Sequence, residues 1–475
     1  MLFTEPAFLF LFLPLLLGAY FLVPDRWRNL LLTLASLIFY CLGERHFFPI
    51  LVLSIGINYV LAIWIEKTRT SRWNRAILAL GITSDLALLL VFKYAGWLVE
   101  NIDRVLPLVR ARPLTVPAFV LPLGISFFTF HKISYKIDVF RGVTPAQRNP
   151  MTLALYILFF PQLIAGPIIR YHEVSDQLDR RNVTSLDFAQ GIRRIIVGLS
   201  KKVLVANSVA LAADRIFDLS AGALGPATCW LGIVCYTLQI YFDFSGYSDM
   251  AIGLAQLFGF RFPENFDHPY ASSSITEFWR RWHMSLSRWF RDYLYVPLGG
   301  NRYGKRRTYL NLLFVFTLCG LWHGASWNFL IWGLFHGFFL VLERVALGRH
   351  LAAVPPVLRR CYTLLVVMVG WVFFRAGSLE RSLTWLRAMG GHVGAQASNY
   401  SVYLFLDPWV MTAIVVGTIA SFPIRSLVIS RGALLRPGLA ATFRFTSVIS
   451  LMVLLSLSLT FIAAGTYSPF LYFRF

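Results

Sequence analysis

One stretch of the chain, Thr308 to Leu342, restricts the possible fold more than any other. Its 35 residues include no Asp, Glu, Lys or Arg, yet His323 lies near its middle, in "CGLWHGASWNFLIWG". As one straight helix the stretch would extend about 52 Å, against a bilayer hydrocarbon core of about 30 Å. We therefore predict that the helix breaks beside His323. The small residues at the predicted break are Gly320, Gly324, Ala325 and Ser326.

Long uncharged runs recur along the rest of the chain. Of 475 residues, 57% are hydrophobic and 14% are charged, whereas an ordinary soluble domain is about 45–50% apolar and about 25% charged. We predict an all-α polytopic membrane protein, a single domain over residues 1–475 with about 10–12 transmembrane helices. The run at residues 2–22 lacks the basic start and the cleavage site of a signal peptide, so it is interpreted as the first membrane helix.

The net charge of +21 comes mostly from Lys and Arg in the connections between these runs. Topology alone requires such a bias, and basic connections also attract anionic lipid headgroups. A more specific interpretation is that these basic residues also bind an anionic cytoplasmic ligand that carries phosphate. No nucleic acid partner is expected. The basic segments 66–75 and 132–142 are predicted to be cytoplasmic, with the N-terminus outside.

The segment "FFPQLIAGPIIR" (159–170) interrupts an apolar run with Pro161, Gly166 and Pro167. Non-helical backbone at membrane depth is tolerated only where protein or a water-filled cavity covers it. We therefore predict a re-entrant loop or a polar passage here.

The longest polar connection, 261–307, contains a predicted amphipathic helix over Ile275 to Tyr293, with His283 at the boundary between its two faces. The apolar face consists of Phe278, Trp279, Trp282, Leu286, Trp289, Phe290 and Tyr293. The basic face consists of Arg280, Arg281, Ser287, Arg288 and Arg291. The residues that could cap the helix are Ser274, Thr276 and Glu277. Such a helix lies in the membrane interface, either purely as an anchor or with its arginines binding phosphates and His283 facing a passage.

The loop "GGNRYGKR" imitates a phosphate-binding motif. Gly299, Gly304 and Lys305 have the spacing GxxxxGK, but Arg306 replaces the Ser or Thr that would hold magnesium, and no soluble strand precedes the loop. We reject a nucleotide-hydrolysing site.

The segment "LQIYFDFSGYSDMAIG" (238–253) places two carboxylates, Asp243 and Asp249, in an apolar run. Six residues apart, they do not share a helix face, so they are poor candidates for a pair that shares a proton. A polar network that holds helices together or lines a tunnel is the preferred interpretation.

His323 itself has two interpretations. Burial favours a neutral imidazole, which can take a proton from an alcohol that attacks a carbonyl. It could equally be a core histidine bonded to a backbone carbonyl. Cys319 lies one helical turn before His323, so a Cys–His pair could form a covalent thioester intermediate. A buried cysteine is commonly inert, however. The five cysteines form no CxxC pair and are predicted to pack as small hydrophobic residues, with no metal site.

Several motifs together resemble the membrane-bound O-acyltransferases, specifically the bacterial alginate O-acetyltransferase branch. They are "FWRRWHMSLSRWFRDYLYVPLGGNR", "GLWHGASWNFLIWG", "YFDFSGYSDMAIG", "FPENFDHPY", "LPLGISFFTFHKISY", "FFPQLIAGPI" and "SPFLYFRF". The resemblance implies a helical bundle around a central tunnel in the bacterial inner membrane. It implies acetyl-CoA as a cytosolic donor substrate with no permanently bound cofactor. It also implies a polysaccharide acceptor and an extracytoplasmic partner of the SGNH-hydrolase type.

The resemblance also implies residue roles. His323 is the expected catalytic residue and His283 a second essential one. The donor is expected to contact Arg280, Arg281, Trp282, Arg288 and Arg291. The residues expected to line the tunnel are Gln239, Asp243, Tyr247, Asp249, Trp322, Ser326 and Asn328.

Two alternatives stay open. One is transfer of D-alanine or another acyl group to a cell-wall polymer. The other is a transporter or polymer-export channel, although such proteins often contain internal repeats, and none is visible in this sequence.

Overall fold

The computed structural model describes residues 1–106, 114, 121–423, 437–465 and 470–471, without the side chains of 437–444. These residues form helices and no strand, which confirms an all-α protein. Within them, six helices are long and apolar enough to cross a membrane: Phe48–Lys67, Asn74–Asp103, Ser185–Phe217, Trp327–Ala353, Pro356–Arg375 and Phe445–Ala463. Shorter apolar helices are Phe8–Leu22 and Pro408–Ala420. The count of about 10–12 spans stays a prediction. The predicted run at 114–131 lies partly outside the described residues, as does the motif at 468–475.

The chain divides into two compact units, residues 1–191 with 251–263, and residues 192–250 with 264–475. Each is described here by itself, and the assignment of one domain to the whole chain stays a prediction. Further helices of the first unit are Asp25–Gly43, Ile125–Arg141, Pro150–Leu158, Phe160–Leu163 and Tyr171–Asp179. Further helices of the second unit are Ile275–Arg281, Met284–Phe290, Gly304–His323 and Leu379–Met389. The long helix Pro226–Leu257 contributes residues to both units.

The first unit contains a buried ionic cluster where a basic connection was predicted. Residues 132–141 belong to helix Ile125–Arg141, and Lys132 and Lys136 are fully buried. Their ammonium groups lie 3.0 Å and 2.5 Å from the carboxylate of Asp85, which also accepts a hydrogen bond from Asn58. The interpretation of this segment as a connection between apolar runs was wrong for these lysines, because a count of charges cannot distinguish a solvated lysine from a buried one that has a carboxylate partner. The side of the membrane on which it lies stays a prediction.

The segment rich in Pro and Gly behaves as predicted in one respect. Helical structure ends at Leu163, Gly166 has a φ of 149°, and all residues from 159 to 169 are buried by protein. The Tyr156 hydroxyl donates to the carbonyl of Ile169 (2.9 Å), and the Phe160 N–H donates to Ser36 Oγ (3.1 Å). Non-helical backbone is therefore covered and bonded, as a membrane environment requires.

In the second unit, the uncharged stretch folds into two helices, Gly304–His323 and Trp327–Leu342, which we call the His323 hairpin. The predicted break is confirmed, and it begins at Gly324, directly after His323. The helices pack backbone against backbone: a Cβ atom at Gly320 would lie 2.1 Å from the carbonyl oxygen of Phe329. Small residues permit this close approach.

The predicted helix over residues 275–293 is broken in the structure. It forms Ile275–Arg281 and Met284–Phe290, and between them His283 has a φ of 44°, in the left-handed region. The Met284 N–H donates to the carbonyl of Asn265 (2.9 Å), outside the helix, so the helical ladder does not continue. Ser274 Oγ accepts from the Glu277 N–H, which confirms the predicted cap.

The apolar face of the predicted helix also does not face lipid. Its members are all buried within the protein: Phe278, Trp279, Trp282, Leu286, Trp289, Phe290 and Tyr293. Periodicity identified the apolar face but could not say what covers it. The interpretation of this segment as an anchor in the membrane interface is therefore wrong for these side chains.

Candidate active site

His323 is the last residue of helix Gly304–His323 and is 6% exposed. Aromatic rings surround the imidazole, with centroid distances of 4.8 Å to Trp322, 5.0 Å to Trp332 and 5.1 Å to Phe374. Each contact is edge-on, which suits a ring whose faces carry negative charge and whose edges carry positive charge. The sequence offers no ionised neighbour, and the structure surrounds the His323 ring with aromatic side chains.

Trp322 connects the two histidines that the sequence singled out. Its ring lies 4.8 Å from that of His323 and 6.2 Å from that of His283. The two imidazoles thus approach the same indole, although 40 residues separate them along the chain. The structure brings the two predicted catalytic residues together, with a predicted tunnel residue between them.

The tautomer of His283 follows from its contact with Asn265. The Asn265 Oδ1 atom accepts from the Ser285 N–H (3.3 Å) and the Ser285 hydroxyl (2.9 Å), and the Asn265 amide nitrogen donates to Ser248 Oγ (3.0 Å). The oxygen and nitrogen of this side chain are therefore assigned by their partners. His283 Nδ1 lies 3.1 Å from the same Oδ1, so Nδ1 must carry the proton and donate it.

It follows that His283 Nε2 has a lone pair. This atom is buried, and it has no hydrogen-bond partner among the described residues. Burial lowers the pKa of His283 to about 3, so the ring is neutral at physiological pH. A neutral, oriented imidazole with an available lone pair can accept a hydrogen bond or a proton from a bound molecule.

A third histidine belongs to the same aromatic cluster and was not predicted. His336 is fully buried, with its ring 5.0 Å from Trp279 and 5.1 Å from Trp332. Neither ring nitrogen has a hydrogen-bond partner among the residues that the structure describes. The His336 ring packs directly against Gly370, which has no side chain. A Cβ atom at Gly370 would lie 2.6 Å from His336 Nε2. In the sequence His336 is a single imidazole in an apolar helix, with no signal to separate it from a core residue.

Two predicted tunnel residues line a cavity at the turn of the His323 hairpin. Ser326 and Asn328 border a cavity of about 280 Å³, together with Phe374 and Arg375. Phe374 also contacts the His323 ring, so the cavity and the histidine share a wall. A space of this size accommodates a small polar group, which the Phe374 ring would separate from His323.

The four polar residues predicted from helix Pro226–Leu257 have other surroundings. Asp243 pairs with Lys202 at 2.5 Å, and Asp249 pairs with Lys201 at 2.7 Å and Arg194 at 2.9 Å. The two carboxylates therefore have separate cations and share no proton, as predicted. Tyr247 stacks on Phe470 at 4.8 Å. Gln239 is buried, and its Oε1 has no partner in the described part of the chain.

The residues predicted to bind the acyl donor differ in their exposure and in whether they already have a partner within the protein. Arg281 pairs with Glu277 (2.8 Å), Arg288 donates to the carbonyl of Glu264 (2.9 Å), and Arg291 pairs with Asp292 (2.7 Å). Trp282 is 3% exposed and packs on Trp371 at 5.0 Å. Arg280 is exposed and borders a second cavity. Their role toward a donor stays a prediction.

Asn265 is a residue of the candidate site that the sequence analysis missed, although it lies within a quoted motif. It lies in "FPENFDHPY", 18 residues before His283, and nothing in its type or spacing indicates contact with an imidazole. Asn265 and His283 meet only because the helix breaks at His283 and the chain there lies beside Asn265.

Comparison with known proteins gives a consistent result. The family model described as "MBOAT, membrane-bound O-acyltransferase family" matches residues 146–384, which include His283, His323 and His336. A probable alginate O-acetylase of Pseudomonas putida is 42% identical over the whole length of both chains. One of Azotobacter vinelandii is 48% identical over 80% of this chain and 76% of the relative. A peptidoglycan O-acetyltransferase of Helicobacter pylori is 36% identical over 100% of this chain and 98% of the relative.

Proposed function

We propose a donor, an acceptor class and a catalytic base for this chain, which belongs to the membrane-bound O-acyltransferase family and is an acyltransferase. The donor is acetyl-CoA in the cytosol. The acetyl group crosses the inner membrane within the protein and reaches an extracytoplasmic polysaccharide, alginate or another exopolysaccharide. A partner of the SGNH-hydrolase type completes the transfer to the polymer.

In the proposed reaction His323 is the general base. Its neutral imidazole takes the proton of the acceptor hydroxyl while the hydroxyl oxygen attacks the thioester carbonyl. The carbon–sulfur bond then breaks, and the imidazolium returns the proton to the departing thiolate. One ester and one thiol result, and the enzyme is unchanged.

In the same proposal His283 orients a reactant. Its Nε2 lone pair is buried and fixed by the contact of Nδ1 with Asn265 (3.1 Å). It can accept a hydrogen bond from an N–H or O–H group of the donor or acceptor. An acceptor that is already oriented beside the base reacts faster, because less translational and rotational entropy is lost on reaching the transition state.

The observation that carries the proposal is the approach of both histidines to Trp322, at 4.8 Å and 6.2 Å, together with a cavity of about 280 Å³ whose wall includes Phe374, a contact of His323. The resemblance to alginate and peptidoglycan O-acetyltransferases supports an acetyl group and a polysaccharide acceptor.

Two experiments test the proposal. Purified protein given labelled acetyl-CoA and a soluble hydroxyl acceptor should release free CoA, whereas a transporter would release none. Mass analysis of surface polysaccharides should detect acetyl esters in the parent strain and none in a deletion strain or a His323→Ala strain. Alanyl esters in place of acetyl esters would replace the proposed donor, and unchanged acetylation would refute the proposal.

A further inference from the structure

The second unit contains another cavity, of about 360 Å³, which is lined by three arginines. The proposed reaction does not use these three arginines together. Arg280 belongs to helix Ile275–Arg281, Arg344 follows the His323 hairpin, and Arg359 lies in the first turn of helix Pro356–Arg375. Three different segments therefore direct guanidinium-bearing residues to one space.

Two carboxylates line the same cavity, but both already have hydrogen-bond partners. The buried carboxylate of Glu343 accepts from the N–H groups of Ile275 (2.6 Å) and Thr276 (2.9 Å) and from the Thr276 hydroxyl (2.7 Å). It also accepts from the Tyr362 hydroxyl at 3.3 Å. These bonds join the end of the hairpin to the helix that precedes His283, and they occupy the oxygens of Glu343.

The carboxylate of Glu277 also has partners already. Its carboxylate pairs with Arg281 at 2.8 Å and accepts from the Ser273 N–H at 2.8 Å. Neither carboxylate forms an ion pair with Arg280, Arg344 or Arg359 among the described residues.

The three arginines outnumber the one lining carboxylate that has no cation partner, Glu343, so the lining of the cavity is net positive. Across the described ranges none of their guanidinium groups has an ion pair or hydrogen-bond partner, and the Nε atom of Arg359 is buried without one. Arg280 and Arg344 are exposed and Arg359 is half-buried, so the buried Nε atom of Arg359 is the group for which a missing partner is costly. A guanidinium also matches phosphate oxygens with two parallel hydrogen bonds, which a convergent set of three can multiply.

We propose that this cavity is a binding site for a phosphate-ester anion. The anion has two possible sources, a nucleotide phosphate dissolved in water or the headgroup of an anionic phospholipid, which basic pockets between membrane helices are suited to hold. The proposal does not depend on the identity of the transferred acyl group.

The end of the cavity formed by Glu343 is distant from the candidate catalytic base. Glu343 lies about 16 Å beyond Trp332 along the helix axis, and Trp332 is the residue whose ring contacts His323 at 5.0 Å. A phosphate in the cavity would therefore anchor a ligand or a lipid without reaching the candidate catalytic centre.

The test uses the full-length protein and a matched pair of double variants. Arg344→Gln/Arg359→Gln removes two cavity charges. Arg349→Gln/Arg360→Gln removes two exposed arginines from the same segments that do not line the cavity. One arm measures ADP binding in detergent by calorimetry. The other measures the thermal stability of the protein in phosphatidylglycerol nanodiscs relative to phosphatidylcholine nanodiscs.

The cavity variant should weaken ADP binding about tenfold if the ligand is a nucleotide, or should lose the stabilisation by phosphatidylglycerol if it is a lipid. The matched control should behave as the parent in both arms. A charge-preserving variant, Arg344→Lys/Arg359→Lys, should give an intermediate result, and it serves as the test if the glutamine variant does not fold. A cavity variant that equals the parent or the matched control in both arms overturns the proposal.

Discussion

Asn265 decides which nitrogen of His283 carries the hydrogen. The 3.1 Å contact between Asn265 Oδ1 and His283 Nδ1 leaves the buried Nε2 as an acceptor, and burial keeps the pKa of the ring at about 3. The role proposed for His283 therefore depends on a residue that the sequence pattern did not single out.

We expect the exchange Asn265→Asp to introduce a pH dependence. A carboxylate beside Nδ1 favours the imidazolium, so the pKa of His283 rises from about 3. Because the protonated ring cannot accept at Nε2, activity of the variant should fall as the pH decreases through the raised pKa. The parent should show no titration of His283 between about pH 5 and 8, since its ring is already neutral there.

The measurement is CoA release as a function of pH, with Ser248→Ala as the comparison, because it removes a partner of the Asn265 amide nitrogen without adding charge. Identical profiles for Asn265→Asp and the parent would contradict the proposed use of the Nε2 atom of His283 as an acceptor.

We expect His323→Ala to abolish acetyl transfer while the protein remains in the membrane. The substitution removes the proposed base, and general acid–base catalysis typically contributes about 10²–10⁴-fold to a rate. His392→Ala, at an exposed histidine of the same unit, is the control and should retain activity. Acetylated polymer and protein abundance are measured in the same cells, and full acetylation by His323→Ala would remove this residue from its role.

We expect Cys319→Ser to retain most of the activity. Cys319 is buried one helical turn before His323, where it can pack without taking part in the chemistry. The decisive measurement is the initial rate of CoA release, together with intact-protein mass after incubation with acetyl-CoA. Loss of activity in a folded variant, or an acetyl adduct on Cys319 of the parent, would support a covalent thioester route instead.

We expect Gly320→Ala to damage the His323 hairpin. The new Cβ would lie 2.1 Å from the Phe329 carbonyl oxygen, which must move, and overpacking of this kind typically costs about 1–3 kcal/mol. Both thermal stability in detergent and CoA release should fall.

Gly56→Ala is the matched control for that exchange, because a Cβ atom there meets nothing within 4 Å inside a long apolar helix. It should be neutral or slightly stabilising. Equal stability of Gly320→Ala and Gly56→Ala would mean that the hairpin backbones are not in close contact.

Much of the fold could be predicted from local pattern. The length of the uncharged stretch exceeds the bilayer, so the break at Gly324 follows from geometry, and Pro and Gly mark the irregular segment near residue 166. By contrast, the prediction of one continuous helix over residues 275–293 failed. Periodicity records which residues share a face, but not that a distant carbonyl, Asn265 O, captures the Met284 N–H.

The sequence by itself determined that this is a helical membrane protein with a histidine at a forced turn, because segment length and missing charge are properties of the chain alone. Its motifs also identified the family. Only the tertiary structure decided which partners each polar group has: that Lys132 and Lys136 are buried against Asp85, that Asn265 orients His283, and that His336 joins the same aromatic cluster. The physical reason is that burial and hydrogen bonding depend on contacts between residues far apart in sequence, which no local pattern encodes.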